Sequence, residues 1–529
     1  MKNRRFFVKT AAATLLVAAS FHMQGCGKKQ DINGIETTPP GKGEENGSSE
    51  ESNIENESSA NVMKEEEKGR TENNRMSREG GEQWEDRMEQ SEEEEAEAGD
   101  LEPLDGPKII IGTDIHYLSS AYTDYGEAFQ NMVNYGDGRI VTYIEQITEE
   151  FLNEVIEENP AALILTGDLT SNGEKKSHEA LAEKLRRVED EGITVLVIPG
   201  NHDVNNRSAR GYRGNETYPV EFTSPQDFAR IYGEFGYEEA ASRDEESLSY
   251  VYQLDENTRL LMLDTCQYHE GFARVGGAIM DNTYSWIEEQ LEDAWNNDMD
   301  VIPAAHHNLL DQSEVYVEDC TIEHSSQLIE ILEGWEISLF LSGHLHVQHM
   351  EEREGDYPLR EIVTSSLTTP DCQYGVLIYQ DKENYDYSTK KVDVEKWARE
   401  NHSTKMDLLE FRSFCRPFLR QVFYNQAYKV LKDYQSITED EMEMMCHYYA
   451  ELNDYYYQGR AFKVRESARK DPAFLLWEEY AYQTVLNEYI ISILDDAVND
   501  YNKLYVRDGE TIRQGGDGRP SVSESDFLE

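Results

Sequence analysis

Short apolar runs alternate with polar and glycine-rich segments between residues 107 and 393. The runs at 108–112, 161–166 and 193–198 are almost wholly apolar and end in polar or glycine residues, which is typical of strands buried on both faces. Between the first two runs, residues 139–158 carry apolar side chains at helical spacing. A strand, a helix and a second strand predict a parallel sheet in an α/β domain at 107–393. Further predicted strands lie at 259–263, 301–305, 337–341 and 361–363.

Past residue 400 the strand pattern stops, and the spacing of apolar residues predicts three helical segments. Thr438 and Glu441 have the spacing of a capping box, and Asp471 before Pro472 is a favourable helix start. These features predict a C-terminal helical domain at 400–510. Its methionine and tyrosine stripes are interpreted as core. The glycine-, serine- and aspartate-rich tail at 511–529 is expected to be disordered.

The chain is strongly acidic, with 106 Asp and Glu against 49 Lys and Arg and a formal charge of −57. Much of this charge lies in residues 27–106, where glutamate, serine, asparagine and glycine dominate. Such a segment buries too little apolar surface to offset the entropy of ordering, so it is predicted to be a disordered tether. A net charge of this sign repels a phosphate backbone, and no binding to nucleic-acid polymers is expected.

The first 26 residues have the features of an export signal. Arg4 and Arg5 precede an aromatic pair, a lysine and an apolar stretch too short to span a bilayer permanently, and the segment ends at Cys26. It resembles a twin-arginine signal peptide with a lipobox, which implies lipidation of Cys26 and a cell-membrane anchor on the outer face. The alternatives are an ordinary secretory signal cleaved near Gly25 and an uncleaved anchor.

Polar residues that bind metals follow the predicted strands one after another. Side chains two residues apart in extended backbone face the same way. Asp114 and His116 are therefore expected to converge, as are His344 and His346. Alone, each of these pairs is weak, because a single histidine near a strand end is more often structural. The complete series is Asp114-Ile115-His116, Gly167-Asp168, Gly200-Asn201-His202-Asp203, His306-His307 and Gly343-His344-Leu345-His346.

The donor chemistry of this series indicates the kind of cation. Ligands at the carboxyl ends of parallel strands collect at one sheet edge. Carboxylate, amide oxygen and imidazole together suit iron, manganese or zinc, whereas calcium prefers oxygen alone. A carboxylate at such an edge, as at Asp168, can bridge two cations.

In this order the motifs resemble those of the calcineurin-like metallophosphoesterases, over residues 109–369. The residues around Gly167-Asp168 and Asp203-Val204, with the appended helical region, are similar to the bacterial cyclic-nucleotide phosphodiesterase branch that has a C-terminal helical domain. The resemblance implies a four-layer α/β/β/α sandwich followed by that domain. It also implies two divalent or trivalent metal ions, iron, manganese or zinc, as cofactors.

Carried over residue by residue, the resemblance implies two metal sites with a shared carboxylate and one acid. One metal would be held by Asp114, His116 and His346 and the other by Asn201, His306 and His344, with Asp168 bridging both. His202 would be the acid that does not bind metal, oriented by Asp203. His306 and His307 compete for one role, which the resemblance gives to His306.

The function implied is hydrolysis of a phosphodiester by a bridging hydroxide, with a cyclic nucleotide or another small phosphodiester as substrate. One alternative keeps the site and changes the substrate, giving a broad phosphomonoesterase that acts on nucleotides or sugar phosphates. Another is a cell-surface binding module on a metal fold that has lost catalysis.

Overall fold

A computed structural model describes residues 101–512 except 135, 356 and 481–485. The predicted signal peptide at 1–26 lies outside the described residues, as do 27–100 of the predicted tether and 513–529 of the predicted tail. The strands are β1 (Lys108–Gly112), β2 (Ala162–Thr166), β3 (Thr194–Ile198), β4 (Arg210–Arg213), β5 (Glu216–Pro219), β6 (Ser242–Arg243), β7 (Tyr250–Gln253), β8 (Thr258–Leu263), β9 (Asp300–Ala305), β10 (Leu339–Ser342), β11 (His349–Arg353), β12 (Leu359–Val363), β13 (Gln373–Asp381), β14 (Asn384–Lys391), β15 (Lys503–Arg507) and β16 (Glu510–Ile512).

Helices cover the outer faces of the sheets and form most of the C-terminal region. They are α1 (Glu127–Asn134), α2 (Ile144–Glu158), α3 (Lys175–Asp190), α4 (Pro225–Ile231), α5 (Asp281–Asn296), α6 (Ser325–Gly334), α7 (Val394–Glu400), α8 (Met406–Leu409), α9 (Phe411–Leu431), α10 (Glu439–Tyr457), α11 (Arg465–Ala468), α12 (Pro472–Glu479) and α13 (Leu486–Asp496). Short helical turns lie at Ser120–Tyr122, Val141–Tyr143, Gly233–Tyr237 and Ala461–Lys463. Among the described helices, none combines the length and apolar character needed to cross a bilayer.

Two seven-stranded sheets, both mixed, carry the fold. The order of the first is β16-β15-β14-β13-β1-β2-β3, and that of the second is β11-β12-β10-β9-β8-β7-β6. Strands β1, β2 and β3 run parallel, as do β8, β9, β10 and β12. Each sheet therefore has an edge at which several strands end in the same direction.

Alternation along β8 shows how the layers are stacked. Leu260 and Met262 belong to the central core, which also contains residues of the first sheet, whereas Leu261 and Leu263 belong to a second core with α5 and α6. Because successive side chains on a strand face opposite sides, the second sheet is buried between the first sheet and these helices. Helix α2 covers the outer face of the first sheet, where its Phe151 is buried in the core. The predicted four-layer α/β/β/α fold with a helical C-terminal region is confirmed.

The C-terminal region confirms the two predicted helix starts but is less uniform than the sequence pattern indicates. Thr438 and Glu441 form the capping box of α10, and Asp471 caps α12 with Pro472 in its first turn. Among the described residues of this region, which exclude 481–485, six helices lie between residues 406 and 496, whereas three segments were predicted. The prediction of helix to 510 and of a tail from 511 differs from the structure, because β15 and β16 extend the first sheet beside β14.

A hydrogen-bonded cluster around buried His349 joins the second sheet to α13. The ring of His349 lies with Nδ1 2.8 Å from Oε1 of Gln312 and Nε2 2.7 Å from Oδ2 of Asp496, which is partly buried. The Gln312 amide is fixed because its nitrogen donates to Glu361. Both ring nitrogens therefore face acceptor oxygens, and Asp496 also accepts from the hydroxyl of Tyr501.

Replacement of Asp496 by asparagine is expected to lower the free energy of unfolding by about 1–3 kcal/mol, since a neutral amide weakens the hydrogen bonds that the carboxylate shares with His349 and Tyr501. The midpoint of urea unfolding measures this effect. Asp495→Asn is the matched control, because that neighbour forms an exposed pair with Arg469, and its loss should cost less than about 1 kcal/mol. Equal effects of the two substitutions would contradict this interpretation of the cluster.

Candidate metal centre

The predicted ligands follow the carboxyl ends of five strands drawn from both sheets. Register pairs Gly112 with Leu165 and Thr166 with Ile198, so β1, β2 and β3 end side by side. In the second sheet Ala304 pairs with Leu341, which aligns the ends of β9 and β10. The loops are joined by backbone hydrogen bonds, including His116 N to Asp168 O at 2.8 Å and Gly343 N to His306 O at 3.1 Å. The topology brings all these loops to one place.

The backbone at five of these positions is left-handed, which is uncommon for residues other than glycine. The φ angles are 50° at Asp114, 51° at His116, 48° at Asp168, 72° at His344 and 60° at His346. The expectation that extended backbone aligns the pairs is therefore wrong. Side chains converge because each ligand bends the chain sharply as it leaves its strand. Such conformations cost about 1–3 kcal/mol each and cluster at functional sites, where the surrounding structure enforces them.

Two glycines allow the loops to approach closely. Gly167 has a φ of 93°, and a Cβ there would lie 2.7 Å from Nδ1 of His306. A Cβ on Gly200 would lie 2.1 Å from the backbone nitrogen of Asp168. A side chain at either position would separate the loops that carry the ligands.

One group of predicted ligands consists of Asp114, His116 and His346, all buried. Oδ1 of Asp114 lies 3.3 Å from Nε2 of His346 and 3.7 Å from Nε2 of His116. The two Nε2 atoms are 3.0 Å apart. Three donor atoms thus face one small volume.

A second group contains Asn201, His306 and His344. Nε2 of His306 lies 3.1 Å from Oδ1 of Asn201 and 3.2 Å from Nδ1 of His344. Asp168 lies between the groups, with Oδ1 3.6 Å from Nε2 of His306 and Oδ2 3.6 Å from Nε2 of His116. Its position suits the bridging role implied for it.

Backbone carbonyls set the tautomers of two rings in the second group. Nδ1 of His306 lies 2.9 Å from the carbonyl of Thr166, and Nε2 of His344 lies 2.9 Å from that of Asp319. A carbonyl only accepts, so those nitrogens carry the protons. The opposite nitrogens, which face the centre, then present lone pairs, as metal binding requires.

His307 points away from this role. Its Nδ1 lies 2.7 Å from Oγ1 of Thr265, and its Nε2 lies 2.8 Å from the carbonyl of Val275. Both ring nitrogens are therefore engaged outside the centre. The geometry favours His306 in the competition between the adjacent histidines.

His202 lies at the mouth of the centre, where Nε2 is 3.9 Å from Oδ2 of Asp168. Its Nδ1 is 2.7 Å from the carbonyl of Ser171, which fixes the ring. The predicted orienting role of Asp203 is corrected: its carboxylate accepts from the backbone of Leu169, Thr170 and Gly200 and from the Thr170 hydroxyl. Asp203 holds the ligand loops together because it is buried among N–H and O–H donors.

The electrostatics of the centre indicate a missing positive charge. Burial raises the pKa of Asp168 to about 7, and the carboxylates of Asp114 and Asp203 add to this shift against the attraction of His306. Burial lowers the pKa of His344 to about 3, so its ring is neutral at neutral pH. Neither Oδ1 of Asp114 nor Oδ2 of Asp168 makes a well-formed hydrogen bond within the described part of the chain. Bound cations would satisfy these oxygens, and the donor set fits them.

Sequence reasoning did not find the groups that orient the rings or the arginine beside them. The carbonyls of Thr166, Ser171 and Asp319 leave no signal, because every residue has one. Arg139 stands at the head of a segment interpreted only as an amphipathic helix, yet it is buried close to the ligands. A lone basic residue in an acidic chain, directly before a buried helix, was the available signal.

Carboxylates and imidazoles from two facing sheets, gathered into two groups around a shared aspartate, define a dinuclear metallohydrolase. Residues 107–348 match the family model described as Calcineurin-like phosphoesterase, and residues 393–500 match that described as C-terminal domain of cyclic nucleotide phosphodiesterase. This chain is therefore a dinuclear metallophosphoesterase that contains a calcineurin-like phosphoesterase domain, followed by a C-terminal domain of the cyclic nucleotide phosphodiesterase type.

Individual proteins of known name are similar to parts of this chain. The chain is 24% identical over 295 residues to the glycerophosphodiester phosphodiesterase GpdQ of Enterobacter lignolyticus, and the aligned residues cover 55% of this chain and 89% of the relative. It is 32% identical over 89 residues to a probable cyclic nucleotide phosphodiesterase of Ruthia magnifica, covering 17% of this chain and 36% of the relative. A solved dimetal phosphatase from Danio rerio has a TM-score of 0.40 and 12% identity, covering 54% of this chain and 97% of that one.

Substituting His306 and His307 one at a time tests which of the two adjacent histidines binds metal. His306→Gln is expected to reduce bound metal from two ions per chain to about one or fewer, since an amide is a poorer ligand than imidazole for borderline cations. His307→Gln, which keeps a donor and an acceptor, should retain both ions. Mass spectrometry of the purified proteins measures metal content. The reverse pattern would assign the role to His307.

Proposed function

We propose that this protein hydrolyses phosphodiesters, with cyclic nucleotides or other small diesters as the substrate class. The observation that carries the proposal is the His202 ring, fixed by the Ser171 carbonyl with Nε2 toward Asp168 at the mouth of the centre. A proton-transfer group is thereby positioned beside the place where a phosphorus atom would lie. The glycerophosphodiester and cyclic-nucleotide activities named for the two relatives support a diester.

Each side chain then has a distinct task. Asp114, Asp168 and the facing imidazoles would hold two cations, and such cations would supply a water of lowered pKa and stabilise charge on the attacking and leaving oxygens. The Ser171 carbonyl accepts from Nδ1 of His202 and keeps the ring in place, and burial lowers the pKa of this ring to about 4. His202 therefore transfers a proton to the departing oxygen through Nε2 only after the ring has taken up a second proton at that atom. Asp203 maintains the distance between the loops after β2 and β3.

We further propose iron, manganese or zinc as the resident metals. The predicted ligands mix carboxylate, amide oxygen and imidazole, with no thiolate among them, and this mixture suits borderline cations. Burial of the ligands favours displacement of hydration water by protein donors.

A phosphomonoesterase would use the same centre, and the kind of substrate distinguishes the two activities. A non-catalytic binding module is the remaining alternative. The complete donor set, held by strained backbone at five positions, supports catalysis over this alternative.

His202→Ala is expected to lower kcat by about 100- to 10,000-fold while metal content stays unchanged. The assay compares manganese-loaded protein on bis-p-nitrophenyl phosphate and p-nitrophenyl phosphate, with the diester preferred. His307→Gln serves as a control histidine substitution. Strong preference for the monoester would favour the phosphomonoesterase, and unchanged turnover of every ester in the His202 variant would reject catalysis at this centre.

We also propose export by the twin-arginine route and attachment to the outer face of the cell membrane through lipid on Cys26. The supporting observations are Arg4 and Arg5 before the apolar stretch and the cysteine at its end. A folded protein with its metals in place is a suitable cargo for this route.

Cys26→Ser is expected to move the protein from the membrane fraction to the soluble exported fraction, because no lipid is attached. Immunoblots of cell fractions measure the distribution, with Cys266→Ser as the control, since that thiol is buried within the fold. A Cys26 variant that remains with the membrane would contradict the lipid anchor.

A further inference from the structure

Arg139 is a buried arginine tied to the backbone around the metal centre. Only 6% of the surface of Arg139 is exposed to solvent. The next residue, Ile140, donates its N–H to the carbonyl of Thr368 at 2.8 Å. Thr368 in turn places its hydroxyl 3.4 Å from the carbonyl of Asp114, one of the predicted ligands. The main chain at Arg139 is thus held close to the centre.

The guanidinium is only partly satisfied. Nε donates to Oδ1 of Asp137 at 2.7 Å, but Nη1 is buried and has no hydrogen-bond partner within the described residues. Arg360 offers a comparison, because it is equally buried and all three of its nitrogens donate. A buried charged donor without an acceptor is costly, so an acceptor from outside the chain is expected at Nη1.

The charge of Arg139 affects the pKa values of imidazole rings on the side of the centre where His202 lies. Burial lowers the pKa of His116 and of His202, and the Arg139 charge is the next largest cause for both. The same charge opposes protonation of His346. These directions agree with the contacts through Thr368 that hold the main chain of Arg139 beside the loop of Asp114.

We propose that Arg139 binds a non-bridging phosphoryl oxygen of the substrate through Nη1. This inference rests on the proposed function and adds a substrate-binding residue to it. A guanidinium fork suits phosphate oxygens, and Asp137 fixes the fork while offsetting part of its burial cost. The ester is thereby held by a fixed cation of the protein as well as by the metals.

The C-terminal helices support this arginine. Gly138, between Asp137 and Arg139, has a φ of 92°, and a Cβ there would lie 2.7 Å from Cδ1 of Leu419 in α9. Helix α9 therefore packs directly on the turn that carries the ion pair. The helical region acts as a support that keeps the guanidinium at the centre.

The test uses Arg139→Lys and the double variant Asp137→Asn/Arg139→Gln, which leaves no unpaired buried charge. Both are expected to raise the inhibition constant of inorganic phosphate and KM for bis-p-nitrophenyl phosphate, by about 10- to 100-fold in the double variant and less in the lysine variant. Metal content should not change. Arg420→Gln is the control, because that arginine pairs with Asp454 inside the C-terminal helices.

Thermal melting of the metal-loaded proteins with and without phosphate gives a second reading that needs no turnover. Phosphate should raise the melting temperature of the wild-type protein more than that of either Arg139 variant. Equal phosphate affinity in all proteins would overturn the proposal. A wild-type protein that binds phosphate through Arg139 but turns over no ester would instead reject the proposed function and leave the binding role intact.

Substitution of two leucines in α9 tests whether this helix supports Arg139. Leu419→Ala should weaken phosphate binding several-fold, since Leu419 lies against the Gly138 turn. Leu431→Ala, equally buried at the far end of α9, should not. Equal phosphate affinity in both leucine variants would overturn the supporting role of α9.

Discussion

Buried negative charge at the carboxyl edges of the two sheets is the constraint on which this structure depends. Asp114, Asp168 and Asp203 have no solvent exposure and lie within one small region. Asp203 is stabilised by hydrogen bonds from backbone and hydroxyl groups, whereas Oδ2 of Asp168 has no hydrogen-bond partner within the described residues. Hydrogen bonds alone do not balance this arrangement, and cations do.

That constraint explains the local conformation and the architecture together. Ligands from both sheets reach the same cations only if the chain bends sharply after each strand, which accounts for the five left-handed residues. The two hydrophobic cores on either side of the second sheet fix the strands firmly enough to hold these bends. The cost of the strained backbone is thus offset by packing outside the site.

The sequence predicted the seven strands β1, β2, β3, β8, β9, β10 and β12 and the residues gathered at the centre, because each leaves a direct pattern. It did not predict the remaining strands, such as β13 and β14, and the layer order came from the resemblance to a known family. The sequence did not predict β15 and β16, because a short alternating run such as 503–507 is a weak signal after a long helical region. The orienting role assigned to Asp203 failed for another reason. A carboxylate beside a histidine in sequence suggested a pair, but the strand-end turn directs it toward backbone N–H groups, and a carbonyl from a different loop holds the ring.

The same local geometry resolves the apparent conflict between an acidic chain and an anionic substrate. Exposed charges separated by more than a Debye length, about 8 Å in physiological salt, are largely screened, so the formal charge of −57 has little influence inside a buried site. Charges within the site interact through a medium of lower polarity and dominate there. In the proposed complex, two cations and the Arg139 guanidinium would outweigh the nearby carboxylates at the point where phosphate would lie. Because helix α9 packs on the Gly138 turn, the helical region would contribute to that balance by supporting Arg139.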